Sequence, residues 1–450
     1  MIEWLLQRIE AGGDAPAIGT PSVVCTYWGL ASAITVRGRT LERAGITRGT
    51  IVSLEGDYGP ASIAAFLALA AAGAVVVPIS SDSTPQRDSL LETAQVEARL
   101  DAASGIVTRT GRTGAHPLYD RLRAQGHPGL VLFTSGSTGR HKGAVHDLVL
   151  LLEKFKTARS CYRTIVFLQI DHIGGINTLL YTLANGGMSV VPADRSPEEV
   201  CRSIARHRVE LLPTSPTFLN LLLLSEAFTR HDVSSLRLVT YGTEPMPEST
   251  LERLAVALPG VNLLQTYGST ELGILRSKSR SRDSLWVRVG GEGYETKVVD
   301  GRLRVRARAA MLGYLNAPSP FDDEGFMDTG DLAEVDGEWI RILGRQSEVI
   351  NVGGSKVHPA EVESVLLTLD NVRDASVRGE PHPIVGHIVC ATVLLHTEES
   401  AADFRARARR YCGERLASYK VPARITIAEG PVHNARFKRM RRAFVEQEHA

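Results

Sequence analysis

Cysteine is scarce: five residues in 450 (Cys25, Cys161, Cys201, Cys390 and Cys412), scattered and without a Cys-x-x-Cys pair. This excludes a disulfide framework and the common zinc modules, and a reduced, cytoplasmic setting is expected. An excess of charge is also missing, with 51 Lys and Arg against 50 Asp and Glu. Without a global field, neither nucleic acid nor an anionic lipid surface is an expected partner. No uninterrupted apolar run reaches membrane length. Residues 61–79 come closest, but Gly73 and Pro78 break them. They read as a buried helix over about 61–72 running into a strand from Ala74 to Ile79, not as a membrane span. The opening Met1-Ile-Glu-Trp-Leu-Leu-Gln-Arg lacks the basic start and small-residue cleavage site of a signal peptide. Internal repeats and low-complexity segments are absent too.

What is present is ordinary globular material, 43% hydrophobic and 22% charged, in a chain long enough for more than one domain. Up to about residue 285, strand-like runs alternate with helical ones. The strand candidates are Ile51–Leu54, Ala74–Ile79, Leu130–Phe133, Thr164–Gln169, Met188–Val191 and Leu236–Tyr241; Ser196–Arg208 and Pro247–Leu258 are helical. The alternation predicts an α/β fold of wound layers with largely parallel sheets. Short strands then follow (Val287–Val289, Glu295–Val299, Arg302–Arg306, Glu338–Arg341), as in a small β-rich subdomain. Past Gly344-Arg345, helices near Pro359–Leu369 and Ala401–Ala417 belong to a mixed pattern. It predicts a small, separate α+β domain, with boundaries at 1–345 and 346–450.

Residues 130–143, Leu-Val-Leu-Phe-Thr-Ser-Gly-Ser-Thr-Gly-Arg-His-Lys-Gly, carry the strongest chemical signal. An apolar strand feeds a loop of hydroxyls, small residues and bare N–H groups, Thr134-Ser135-Gly136-Ser137-Thr138-Gly139, with Lys142 close behind. Such a loop can wrap a polyphosphate, because glycines let the backbone approach while amide dipoles and an ammonium offset the charge. The spacing is not that of a Walker loop.

Four further segments follow in order: Gln265-Thr-Tyr-Gly-Ser-Thr-Glu271, Met327-Asp-Thr-Gly-Asp331, Gly344-Arg345-Gln-Ser-Glu-Val-Ile-Asn-Val-Gly-Gly354, and Pro359-Ala-Glu-Val-Glu363. Together with the loop they resemble the adenylate-forming superfamily: acyl- and aryl-CoA synthetases, adenylation domains of peptide synthetases, and luciferases. The resemblance covers about residues 20 to 445. It implies that a carboxylate attacks the α-phosphate of ATP, pyrophosphate leaves, and a thiol then displaces AMP from the acyl-adenylate. Two anions meet in the first step, so cationic groups and Mg²⁺ must offset their repulsion.

By this resemblance, residues 134–139 with Lys142 hold the β- and γ-phosphates, Tyr267 and Gly268 belong to the nucleotide site, and Thr270 contacts the α-phosphate. Glu271 binds Mg²⁺, with Thr138 as a second metal contact. Asp331 accepts from the ribose hydroxyls and Arg345 holds the same sugar. Read alone, Glu271 would be a helix-start carboxylate and Asp331 a turn residue. Lys438 and Arg441 match the lysine motif near the C-terminus, where the ammonium bridges the attacking carboxylate and the α-phosphate. Asn434 replaces the family's Thr, and Phe437 its Gly. Ser347 stands where many relatives carry Asp or Lys after the hinge arginine. The 346–450 domain would rotate between half-reactions, presenting Lys438 in one pose and the Gly353-Gly354 loop, beside a pantetheine tunnel, in the other.

Leu168-Gln-Ile-Asp-His172-Ile-Gly-Gly175 resembles the segment that places a histidine near the acyl carboxylate. Peptide-synthetase domains instead use an Asp nearby to anchor an amine, and Asp171 is adjacent. Tyr241, Gly242, Thr243, Gly268 and Gly273 join His172 as expected lining of the acyl pocket, suited to an aromatic, alicyclic or medium acyl group. The expected acceptor is coenzyme A. Phosphopantetheine on a carrier protein is the alternative, and a non-catalytic nucleotide-binding protein on the same scaffold is a second.

Overall fold

The computed structural model describes residues 2–135, 141–434, 437, 439 and 440. Two seven-stranded sheets form the wound layers. In the first, the spatial order is Asn262–Gln265, Leu238–Tyr241, Leu211–Thr214, Arg163–Ile165, Met188–Val190, Pro16–Gly19 and Val24–Thr26, parallel except at the last pair. In the second, Val75–Ile79, Ile51–Glu55 and Ala98–Asp101 run parallel beside Gly129–Ser135, and antiparallel strands close both edges. The helices between strands start where the sequence allows: prolines open Pro60–Ala71, Pro197–His207 and Pro216–Ser225, and Ser196 and Ser215 cap the last two through their hydroxyls.

A six-stranded antiparallel sheet follows, from Arg276–Ser279 to Trp339–Arg345. Beyond it, a separate hydrophobic cluster draws its buried members from Ile350 to Ile425 alone. A parallel strand delivers whatever follows its carboxyl end to the same edge of its sheet, where ligands of open α/β sheets bind. Here those ends are Thr214, Tyr241 and Gln265 in one sheet and Ser135 in the other. Ser215, Gly242 to Glu244 and Thr266 to Glu271 are thereby brought to one rim. The expected strand Thr164–Gln169 is shorter, Arg163–Ile165. Its later residues leave the ladder because they turn into the helix Ile173–Ala184, where a Cβ on Gly175 would lie 2.1 Å from the Gln169 carbonyl oxygen. Only glycine permits that approach. Among the described residues no helix is long and apolar enough to cross a membrane.

Candidate active site

The strand predicted over Leu130–Phe133 is Gly129–Ser135, and a return strand, His141–Asp147, pairs antiparallel with it. Thr134 and Ser135 are therefore ladder residues, opposite Lys142 and His141, and not loop residues as expected. Gly136, Ser137, Thr138 and Gly139 lie outside the described residues. The Lys142 ammonium sits 5.2 Å from the centre of the Tyr314 ring, and the Tyr314 hydroxyl donates to Glu271 Oε1 at 2.5 Å. Asn316 ties the same turn together, accepting from the Gly143 N–H at 3.1 Å and donating to the His141 carbonyl at 2.8 Å. Tyr314 thus couples the lysine to the carboxylate. Sequence reasoning missed it, because its two-residue strand Gly313–Tyr314 is defined only by pairing with Val145 and Ala144, far away in the chain.

Glu271 is not at a helix start. Gly268–Ser269 and Gly273–Ile274 form a minimal hairpin, and Thr270 to Leu272 are its turn. One oxygen of Glu271 is held by Tyr314, and a carboxylate has lone pairs to spare for a hard cation. Behind it, His146 is fully buried. Burial pushes its pKa down from 6.5 to about 4, with the Glu271 charge pulling the other way. A histidine buried as the neutral form contributes stability that is intact above about 6.5 and is lost as pH falls toward about 4. The loss is about 3 kcal/mol at the acid limit. Denaturant midpoints between pH 7 and 4.5 should therefore drop less in His146→Leu than in the unaltered chain, and parallel curves would refute this.

Asp331 and Arg345 face each other across the strands Met327–Asp336 and Trp339–Arg345, with Arg345 Nε 2.8 Å from Asp331 Oδ1. The Tyr267 hydroxyl donates to Asp331 Oδ2 at 2.5 Å, so three predicted nucleotide residues meet. Burial raises the Asp331 carboxyl pKa, against the lowering effects of Arg345 and the Tyr267 hydrogen bond. Each carboxylate oxygen keeps a lone pair for a further donor, such as a ribose hydroxyl.

His172 caps the helix Ile173–Ala184, its Nδ1 accepting from the Gly174 N–H at 3.0 Å. The neutral ring therefore carries its proton on Nε2, where it can donate. Asp171 is buried, and its Oδ2 accepts from the Ser80 and Ser83 hydroxyls at 2.7 and 2.6 Å. It ties this segment to the turn Ser81–Gln86. Tyr241 packs its ring into the core beneath the sheet. A Cβ on Gly242 would come within 2.8 Å of the Thr266 carbonyl oxygen, so this glycine lets two rim segments touch. Thr243 is exposed and takes a left-handed φ of 74°. Gly353 and Gly354, with φ of 57° and 88°, form the turn between Ile350–Val352 and Ser355–Val357. Their amides are bound at Val385 and Asn351, not at the nucleotide residues.

Lys438 lies outside the described residues, as does Arg441. Its neighbours are fixed on both sides. Ser215 Oγ donates to the Phe437 carbonyl at 2.9 Å, and the Arg439 N–H donates to Glu244 Oε2 at 3.2 Å. The Phe437 ring lies 5.4 Å from Phe167, 5.6 Å from Phe218 and 5.5 Å from His433, with the Arg195 guanidinium 5.6 Å away. Arg439 forms a fully buried ion pair with Glu363 at 2.8 Å.

With this geometry in view, similarity to known proteins is informative. The AMP-binding enzyme family matches residues 6–315, and its C-terminal domain matches residues 361–438. The chain belongs to that family of AMP-binding enzymes. Over 502 aligned positions it is 26% identical to the long-chain-fatty-acid–CoA ligase FadD13 of Mycobacterium tuberculosis, spanning 99% of this chain and 98% of that one. It is 30% identical to the 2-succinylbenzoate–CoA ligase of Bacillus velezensis, over 69% of this chain and 67% of that protein. The fold is that of the anthranilate–CoA ligase AuaEII, solved with anthranoyl-AMP: TM-score 0.80 at 22% identity, covering 97% and 95% of the two chains.

Proposed function

We propose that this protein is an AMP-forming acid–thiol ligase that converts a carboxylic acid to its acyl-CoA at the expense of ATP. The observation that carries the reading is the convergence of Lys142, Tyr314 and Glu271 beside the Tyr267–Asp331–Arg345 cluster, in a chain of this family. One group fits phosphates and the other a ribose.

The acid's carboxylate oxygen attacks the α-phosphorus of ATP, the bond to the bridging oxygen breaks, and pyrophosphate leaves. The product is a mixed anhydride of acid and AMP. Lys142 and the 134–139 segment neutralise the departing phosphates, Thr270 meets the α-phosphate, and His172 Nε2–H orients the acyl carboxylate. The hard carboxylate of Glu271 fits Mg²⁺, with Thr138 as its partner, and the ion when bound would screen the phosphate charge. In the second step the thiol sulfur attacks the acyl carbon, AMP leaves, and the thiol proton passes to solvent. Gly353 and Gly354 would line the path of the thiol's arm.

ATP–pyrophosphate exchange with a panel of aryl, alicyclic and medium-chain acids tests the first half. Thioester mass spectrometry with CoA, or with a carrier protein, identifies the acceptor. Exchange with no acid would favour a binding protein instead. Glu271→Gln should lower exchange by roughly 10²–10³ and weaken its Mg²⁺ dependence, as removal of a transition-state charge contact does. An unaltered Mg²⁺ titration would remove Glu271 from the metal site.

A further inference from the structure

The backbone on both sides of Lys438 is held by side chains from the rim of the first sheet. Ser215 Oγ donates to the Phe437 carbonyl, and Glu244 Oε2 accepts from the Arg439 N–H at 3.2 Å. The other oxygen of Glu244 is committed to the helix Pro216–Ser225, accepting from the Thr217 N–H at 2.9 Å and from the Thr217 hydroxyl. One carboxylate therefore joins the rim to a segment 195 residues further along the chain. We propose that Glu244 is the positioning residue for Lys438: it latches the lysine-bearing segment in the pose that makes the acyl-adenylate, and has no part in thioester formation.

The inference rests on the ligase reading, with Lys438 as its adenylation lysine, and deepens it. Two N–H donors on different elements need two acceptor oxygens, which a carboxylate supplies and an amide does not. Bonds to an ionised acceptor are also the stronger kind. Glu244 reaches its place by a strained route. The strand Leu238–Tyr241 ends, and Thr243 takes a φ of 74°, left-handed and uncommon for a β-branched residue. Such strain persists only where surrounding contacts hold it, and it gathers at switch regions. Arg439 is the other half of the joint. Its side chain is buried against Glu363 at 2.8 Å, and the next carbonyl, that of Met440, accepts from Ser376 Oγ at 2.8 Å. Its N–H crosses to Glu244. The segment is thus fixed to its own side through Arg439 and Met440, and docked on the rim through the backbone beside Lys438. Altering Glu244 leaves the first set of anchors intact and loosens the second. A small misplacement there is costly, because the lysine must bridge two anions whose positions are set elsewhere.

The test is Glu244→Gln in the full chain. Whichever way the new amide turns, its NH₂ faces one of the two backbone N–H groups. Adenylation, read in single turnover, should fall about ten- to a hundredfold, as the loss of a hydrogen bond to a charged group does. Transfer from a supplied acyl-adenylate should be unchanged. In a Lys438→Ala background the same substitution should cost nothing further, since Glu244 acts through that lysine. Hydrogen–deuterium exchange gives a reading independent of catalysis: protection of the Arg439 amide should drop, with that of the strand Gly386–Leu395 retained. Should Glu244→Gln not fold, Glu244→Asp keeps the charge, is too short to span both N–H groups, and must show the same split. Equal losses in both half-reactions, an added loss on top of Lys438→Ala, or unchanged protection at Arg439 would overturn the inference. Pyrophosphate exchange failing with every acid in the unaltered chain would strike the ligase reading, while the protection at Arg439 still decides whether Glu244 holds the segment.

Discussion

Lys438→Ala is expected to lower ATP–pyrophosphate exchange by at least about 10²–10³ while leaving thioester formation from a supplied acyl-adenylate nearly unchanged. The magnitude is that of deleting one preorganised positive group aimed at developing charge. The asymmetry follows from the chemistry. Only the first half-reaction brings two anions together, so only that half needs a bridging ammonium. The segment around this lysine is anchored from two directions: Ser215 and Glu244 bind its backbone from the sheet rim, and Glu363 holds Arg439 in a buried ion pair. Single-turnover measurements of each half separate the outcomes. Equal losses in both would indicate a damaged fold, and unchanged pyrophosphate release would remove Lys438 from the reaction.

The parts of this site that could be read from sequence were those written in contiguous residues. The strand before Thr134, the Thr270–Glu271 pair and Asp331 each sit in a short motif whose residue types match their chemistry. The alternation of elements likewise foretold wound layers, which the two largely parallel sheets bear out. The helix over about 61–72 is Pro60–Ala71, since an Ala-rich run opened by proline has few alternatives. What escaped depends on distant pairing. Tyr314 reaches Glu271 only because its strand adds to the edge formed by residues 141–147. Asp171 and His172 are neighbours in sequence, yet one is bound to two serines and the other caps a helix. No local pattern distinguishes those fates.

Phe437→Ala is expected to slow adenylation by roughly thirtyfold and to leave thioester transfer unchanged or faster. By the family resemblance glycine is expected here, and the backbone fits that expectation: φ is 54°, a left-handed value that glycine takes freely and other residues resist. A phenylalanine holding that angle must be compensated. The ring's contacts with Phe167, Phe218 and His433, at 5.4 to 5.6 Å, with Arg195 over its face, provide it. At about 0.5–1.5 kcal/mol for each aromatic pair, the cage is worth about 2 kcal/mol, which is the thirtyfold. Phe437→Ala keeps the strained angle and loses the cage. Phe437→Gly loses the cage but relieves the angle, so its adenylation defect should be the smaller of the two. Any movement that withdraws the C-terminal segment for thiol attack must first pull this ring out, so a weaker cage does not hinder the second half-reaction. Rates of both halves in the two variants decide the matter. A parallel fall in adenylation and transfer, or a glycine variant worse than the alanine one, would show that Phe437 supports the fold and not the docked pose.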